Sequence, residues 1–422
     1  MATVSRVTRL PNGVRIATAE MPWMKTVAVG FWAGVGGRHE TPAQSGIAHF
    51  IEHLLFKGTP RRNARQITED VEGIGGYINA FTTEDHTCYY AKACASHLRR
   101  LCEVLADIYI DSVFAQNEIE RERDVIREEI LMYRDQPAQH AQELLTETMW
   151  PGHPLGRPLT GTVDSISRLN RKELMAFQKA TYCGRTTTVA VAGACDHEEV
   201  VRILRPLLSR LPVGRKPRFA RAPREIGPAR LNLFSHETEQ THVALGFHAF
   251  GRRDERRFAL KLLSVILGEN MSSRLFQKLR ERHGYCYSIQ SSTVTLDDAG
   301  AFNIYAGVDH RKLERAVKMI LKELESICHR APTRTELKKA KDYTSGQTLM
   351  GLESTTTQMM WIGESLIGYN EIQDPEDIVS KINAVEPEEV QRCACYCLHR
   401  GRLGVAVVGP TKEKDRIESW LA

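Results

Sequence analysis

Thr26-Val-Ala-Val-Gly-Phe31 returns later in the chain as Thr241-His-Val-Ala-Leu-Gly-Phe247, and the reading of this pair decides the fold. Both runs have the length and β-branched, apolar character of a buried strand. The recurrence extends outward from them. Cys88-Tyr-Tyr-Ala91 precedes a helical segment around His97, and Phe302-Asn-Ile-Tyr-Ala306 precedes His310 and a helical segment of its own. Glu118 to Ile130 is likewise matched by Glu336 to Gln347. Order and spacing persist through both halves, which predicts two related α+β domains over 1–213 and 226–422, each an antiparallel sheet backed by helices. The stretch 211–228, with four prolines among basic residues, reads as the linker between them.

Within the first half, Ile47-Ala-His-Phe-Ile-Glu-His-Leu-Leu-Phe56 is an apolar helical run that carries two imidazoles and a carboxylate. His49 and His53 are one turn apart, so their side chains share a face, with Cβ atoms roughly 5–6 Å apart. Both rings can then reach one metal ion at about 2.0–2.1 Å. Glu52, at i+3 from His49, lies on the same side. Three ionisable groups on so apolar a helix are costly to bury without partners, and a divalent cation, zinc first among them, satisfies all three together. The same string also occurs as two ordinary surface or core histidines.

A catalytic zinc takes three protein ligands and keeps a fourth position for water. The third ligand is sought in Ala115 to Met132, a segment dense in Glu and Arg that also reads as a solvated, ion-paired helix. Glu122 and Glu129 are seven residues apart, which stacks them on one side near Ile126 and Ile130. One of the two is a candidate ligand and the other a candidate supporting carboxylate.

Composition narrows the class. With 422 residues, 42% hydrophobic and 26% charged, the chain can bury two sizeable cores. No run approaches the ~18 apolar residues of a membrane helix, and Met1 to Pro11 lacks the apolar centre of a secretory signal. A cytoplasmic protein with no membrane association is expected. The net charge of +5 is mild, and the most basic stretch, Gly214 to Arg224, falls in the linker, so nucleic acid is not an expected partner. Ten scattered cysteines suit reduced, buried thiols in that compartment. Cys393-Ala-Cys-Tyr-Cys397 lies on a helical reading in which i, i+2 side chains do not face each other, so no thiolate metal site is expected. Asp196-His-Glu-Glu199 reads as a helix N-terminus with acids at the dipole. His236 and His242, with Glu237 and Glu239 between them, have no partner legible in sequence and read as structural.

His49-x-x-Glu52-His53, followed 76 residues after His53 by Glu129, resembles the inverted zinc motif of the pitrilysin family of metallopeptidases, in its mitochondrial-processing-peptidase-like branch. Phe56-Lys-Gly-Thr59, Asn79-Ala-Phe-Thr82, Ile119 to Arg123, Pro154-Leu-Gly156 and Gly161-Thr162 resemble that branch as well, so the likeness spans nearly the whole chain. It implies a peptidase with one zinc per chain held by His49, His53 and Glu129. Glu52 would be the general base toward a zinc-bound water, whose pKa falls to about 7. Glu122 would orient a ligand from outside the metal shell. The resemblance also matches Arg280 and Tyr287 to a pair of donors for the developing oxyanion. Read without it, they are an exposed helical Arg and a core Tyr, with Tyr285 on the same strand face as Tyr287. Gly76 to Ala91 reads as a hairpin around Thr83-Glu-Asp85. In the family its first strand is a sheet edge to which peptide adds, with Asn79 and Ala80 at the matching positions.

The resemblance further implies a clamshell dimer, in which the metal domain of one chain faces the arginine and tyrosine of the other. This chain carries both sets, which points to a homodimer with composite sites; no match to the glycine-rich loop of the family's α-type subunit is found. The expected function is a zinc endopeptidase that hydrolyses extended oligopeptides or unfolded segments inside a closed chamber. The alternatives are a catalytically silent scaffold or core subunit and a peptide-binding module of the same fold.

Overall fold

The computed structural model describes residues 3–223 and 230–421; part of the expected linker, 224–229, lies outside the described residues. The first half runs β1 (Val4–Arg9), β2 (Arg15–Glu20), β3 (Thr26–Ala33), α1 (Ile47–Leu55), α2 (Ala64–Glu72), β4 (Tyr77–Thr82), β5 (Thr87–Cys94), α3 (Leu98–Asp111), α4 (Gln116–Asp135), α5 (Pro137–Met149), α6 (Val163–Arg168), α7 (Arg171–Thr181), β6 (Thr187–Gly193) and α8 (His197–Leu208). The second runs β7 (Arg230–Ser235), β8 (Thr241–Ala249), α9 (Arg257–Leu267), β9 (Cys286–Thr295), β10 (Gly300–Val308), α10 (Leu313–His329), α11 (Arg334–Gly351), α12 (Thr355–Tyr369), α13 (Pro375–Ala384), α14 (Pro387–Cys397), β11 (Leu403–Gly409) and α15 (Lys414–Leu421).

Two sheets result, ordered β1-β2-β6-β3-β5-β4 and β7-β11-β8-β10-β9. Leaving out β1, the second order repeats the first strand for strand, and the repeated Thr26 and Thr241 runs are β3 and β8 at matching places. The expected α+β pair of related domains is what folds. The sheets are mixed, however, and not antiparallel throughout. β6 lies parallel to β2, and β11 parallel to β7. Each late strand returns after a long helical excursion and inserts between two earlier ones, so it must run with one neighbour and against the other.

One face of the first sheet packs Val27, Val29 and Phe31 against Phe50, Ile51, Leu54, Leu105 and Ile126. The other face is built of small residues, Ala17, Ala19, Ala28, Ala190 and Ala192, around Trp32. It is covered by Met359, Ile362 and Leu366 of α12, a helix from the second half. The second sheet mirrors this arrangement. Its large core packs against α9, α10 and α14 residues, while Ala244, Ala301 and Ala406 take Ala141, Leu145 and Met149 of α5, from the first half. The repeated glycines now have a reason. A Cβ on Gly30 would overlap the Met359 sulfur, and one on Gly246 the Met149 sulfur.

The compact units are accordingly discontinuous. One gathers residues 1–130, 158–220 and 349–374; the other gathers 131–157, 221–348 and 375–422. The halves 1–213 and 226–422 mark the sequence duplication, and each lends a helix to the opposite unit. No described helix is long and apolar enough to cross a membrane. The cysteines are all free, but Cys94 and Cys395 are exposed and Cys195 and Cys328 half-buried, which corrects the expectation of uniformly buried thiols. Cys395 faces away from the buried Cys393 and Cys397 and meets the Cys328 carbonyl on α10, as the helical spacing requires.

Candidate metal centre

Helix α1 begins at Gly46, whose φ of +89° suits glycine. Glu40 accepts from Gly46 N at 2.8 Å and Ala48 N at 2.9 Å, so a carboxylate meets the positive end of the helix. Ile47, Phe50, Ile51, Leu54 and Leu55 are buried, which turns His49, Glu52 and His53 to the opposite face. Helix α4 presents Glu122, Ile126 and Glu129 to that face, Ile126 fully buried beneath the two carboxylates.

The ligand atoms of His49, His53 and Glu129 all lie within 4.8 Å of one another. His49 Nε2 is 3.7 Å and His53 Nε2 3.5 Å from Glu129 Oε2, and the two rings are 4.7 Å apart. Tetrahedral bonds of about 2.0–2.1 Å would set neighbouring donors roughly 3.3–3.4 Å apart, so both nitrogen-to-carboxylate separations lie within a few tenths of an ångström of those a zinc ion would set. Two nitrogens and one carboxylate oxygen also form a set that leaves a coordination position open, as catalytic zinc requires. Among the described residues this is the one such group of three.

Supporting contacts surround it. Glu122 Oε2 meets His53 Nδ1 at 3.1 Å, which turns Nε2 toward Glu129. Lys57 Nζ holds the other oxygen of Glu122 at 2.7 Å. His49 Nδ1 is buried and has no hydrogen-bond partner among the described residues. Glu52 stands outside the triangle, with Thr82 Oγ1 donating to its Oε2 at 2.6 Å.

Burial pushes the His49 imidazole down to about 4; the neighbouring His53 acts in the same direction and Glu129 against it. For His53 burial also acts downward, but hydrogen bonds to Glu122 and Glu129 outweigh it and lift the ring to about 9. Burial raises Glu52, opposed by the Thr82 hydroxyl and by His53. Glu122 sits below the ordinary carboxylate range: burial would raise it, and His53 and Lys57 prevail.

Strand β4 is the edge of the first sheet. Asn79 Oδ1 accepts from Ala80 N at 2.8 Å. The hairpin is pinned at its tip: Gly37 N and Arg38 N donate to the carbonyls of Thr83 and Glu84, and Arg38 pairs with Asp85 at 3.0 Å.

Arg280 and Tyr287 lie in the other compact unit and are brought together there. Arg280 belongs to a π-helical segment, Phe276–Arg282, and its guanidinium carbon is 5.3 Å from the Tyr287 ring centre. Tyr287 is 73% exposed on edge strand β9, which corrects the reading of it as a core residue. Tyr285 precedes the strand and does not share its face; it stacks on His283 at 5.1 Å and packs against the second core. Sequence reasoning missed Lys57 and Thr82. Lys57 is one turn beyond His53, and Thr82 closes the hairpin strand, so both lay inside quoted motifs without a spacing that announced their partners.

Residues 15–163 match the family described as insulinase (peptidase family M16), and 168–343 the peptidase M16 inactive domain. An uncharacterized zinc protease of Streptomyces coelicolor is 37% identical, over 98% of this chain and 91% of its own. One of Mycobacterium tuberculosis is 38% identical, over 100% and 96%. Among solved structures, a protease from Helicobacter pylori superposes with a TM-score of 0.91 at 23% identity, covering 97% of this chain and all of the other. A peptidase M16 inactive domain from Pseudomonas fluorescens gives 0.89 at 18%, over 97% and 98%. At such identities the two structures speak to the fold alone.

Proposed function

The chain belongs to peptidase family M16, the pitrilysin and insulinase family, and from that premise we propose that it is a zinc-dependent endopeptidase of the mitochondrial-processing-peptidase-like branch. Its substrates would be extended oligopeptides or unfolded segments. The observation that carries the reading is the convergence of His49, His53 and Glu129 within 4.8 Å, with the Glu52 carboxylate on the helix that holds both histidines.

Zinc held by those three residues supplies Lewis acidity and brings the ionisation of water near neutral pH. Glu52 takes a proton from the attacking water and returns it to the leaving amine. Glu122 keeps His53 in one tautomer and orientation. The open edge of β4 receives the peptide by main-chain hydrogen bonds, with Ala80 N exchanging Asn79 Oδ1 for a substrate carbonyl. Arg280 and Tyr287, already adjacent, donate to the developing oxyanion. In this reading the protein is a cytoplasmic homodimer that closes as a clamshell, each site drawing its arginine and tyrosine from the other copy.

A quenched-fluorescent library of unstructured peptides tests the proposal. The zinc-loaded wild type should cleave, a chelator should stop it, and Glu52→Gln should lose nearly all turnover. A mixture of Glu52→Gln and Arg280→Ala chains should recover part of it, and no recovery would contradict sites shared between copies. Zinc-loaded wild type that cleaves nothing would overturn the proposal in favour of a silent scaffold or peptide-binding module.

A further inference from the structure

Among the described residues the hydroxyl of Thr82 is the hydrogen-bond partner of the Glu52 side chain, at 2.6 Å, and it comes from a different element, 30 residues away. A carboxylate can only accept, so the single proton of Thr82 is committed to Glu52 Oε2. Thr82 is in turn well fixed. It is β-branched and therefore stiff at χ1, and it pairs across the hairpin with fully buried Thr87. Thr87 Oγ1 lies 3.4 Å from Thr82 Oγ1 and donates to the Val35 carbonyl at 3.1 Å. Behind the hydroxyl stands a hairpin whose tip is clamped through Arg38 and Asp85.

Resting on the endopeptidase reading above, we infer that Thr82 is the positioning residue of the general base: its hydroxyl pins one oxygen of Glu52 and leaves the other to move the proton. A glutamate has three rotatable bonds, and a free one on α1 would sample several rotamers. The pin also ties the base to the strand that would align the peptide, since Ala80 and Thr82 lie two residues apart on β4 and face the same side. A peptide added to that edge is thereby registered against the carboxylate that must reach its scissile bond. Misplacement on the scale of an ångström is enough to slow such a step heavily.

Thr82→Val keeps the branched shape and removes the proton; Thr82→Ser keeps the proton and removes a methyl. Thr82→Val should bind about one zinc per chain, lose about 10–100-fold in kcat and hold KM within about twofold. Thr82→Ser should stay within about threefold of wild type. Wild-type kcat in Thr82→Val would overturn the inference, as would a loss confined to KM or a serine variant no better than valine. A readout independent of turnover is the thermal midpoint of the zinc-free protein in a cycle of Thr82→Val, Glu52→Ala and the double variant. Non-additive shifts support the bond, and additive shifts overturn it. If the zinc-loaded wild type cleaves nothing, the endopeptidase reading fails and this cycle alone decides whether Thr82 fixes Glu52.

Discussion

Lys57 and Glu122 illustrate how charge around the metal group is balanced one side chain at a time. Glu122 is 5% exposed and has two neighbours, with Lys57 on one oxygen and His53 on the other. Lys57→Met would leave the carboxylate half-satisfied and free to turn from His53. Zinc affinity, measured by competition with a chromophoric chelator, should fall about tenfold. Unchanged affinity would show that Lys57 plays no part in holding the ligand. At this scale the sequence was legible where spacing on a single helix carries the information: His49, Glu52 and His53 share a face by period alone, and Glu122 and Glu129 likewise. The bonds from Lys57 to Glu122 and from Thr82 to Glu52 join separate elements, and no periodicity encodes them. Read without the family resemblance, Tyr287 is a core residue, and its exposure escapes that reading because an apolar run does not say which strand will be the edge of the sheet.

Among elements, α11 is the second copy's counterpart of α4 and opens on an ion pair of its own. Its first-turn Glu336 is gripped by the Arg274 fork at 2.8 and 3.1 Å and accepts from Thr333 N at 2.9 Å. Burial would raise Glu336, but Arg274 and Thr333 prevail and bring it down to about 2, from the ordinary 4.5. A carboxyl lowered by folding stabilises fully above its unfolded value and loses that contribution as pH falls through its folded value. Urea stability should therefore decline between pH 4.5 and 2, and Arg274→Met should flatten that decline by up to about 1 kcal/mol, screening by solvent included. The exchanged helices give a second expectation. Gly363 of α12 lies against the Trp32 ring, where a Cβ would overlap it. Gly363→Leu should cost about 1–3 kcal/mol by overpacking, with Trp32 fluorescence reporting loss of order in the first sheet although the substitution is in the second half. The repeated strands and the helix of the two histidines were legible from apolar runs, whereas α5 and α12 and their exchange were not, because nothing in an amphipathic helix says which of two similar sheets it will cover.

For the whole molecule, duplication of one fold frames how the two halves differ. Both copies keep the strand order, and one carries the candidate metal group while the other carries the exposed arginine and tyrosine. The duplication was visible as repeated strings; the parallel strands β6 and β11 were not, since apolar alternation carries no sign of direction. Helix exchange also makes the halves interdependent. A fragment of residues 1–213 would bare the alanine face around Trp32 and should bind a hydrophobic dye and aggregate; co-expression with 214–422 should restore a folded protein. A monodisperse, dye-silent fragment would contradict that dependence. The central claim, a zinc site made by His49, His53 and Glu129 with Glu52 outside it, is tested most directly by zinc stoichiometry across single variants. Wild type and Glu52→Gln should each carry about one zinc per chain, and His49→Ala, His53→Ala and Glu129→Ala almost none. Full zinc in His53→Ala, or its loss in Glu52→Gln, would contradict the account.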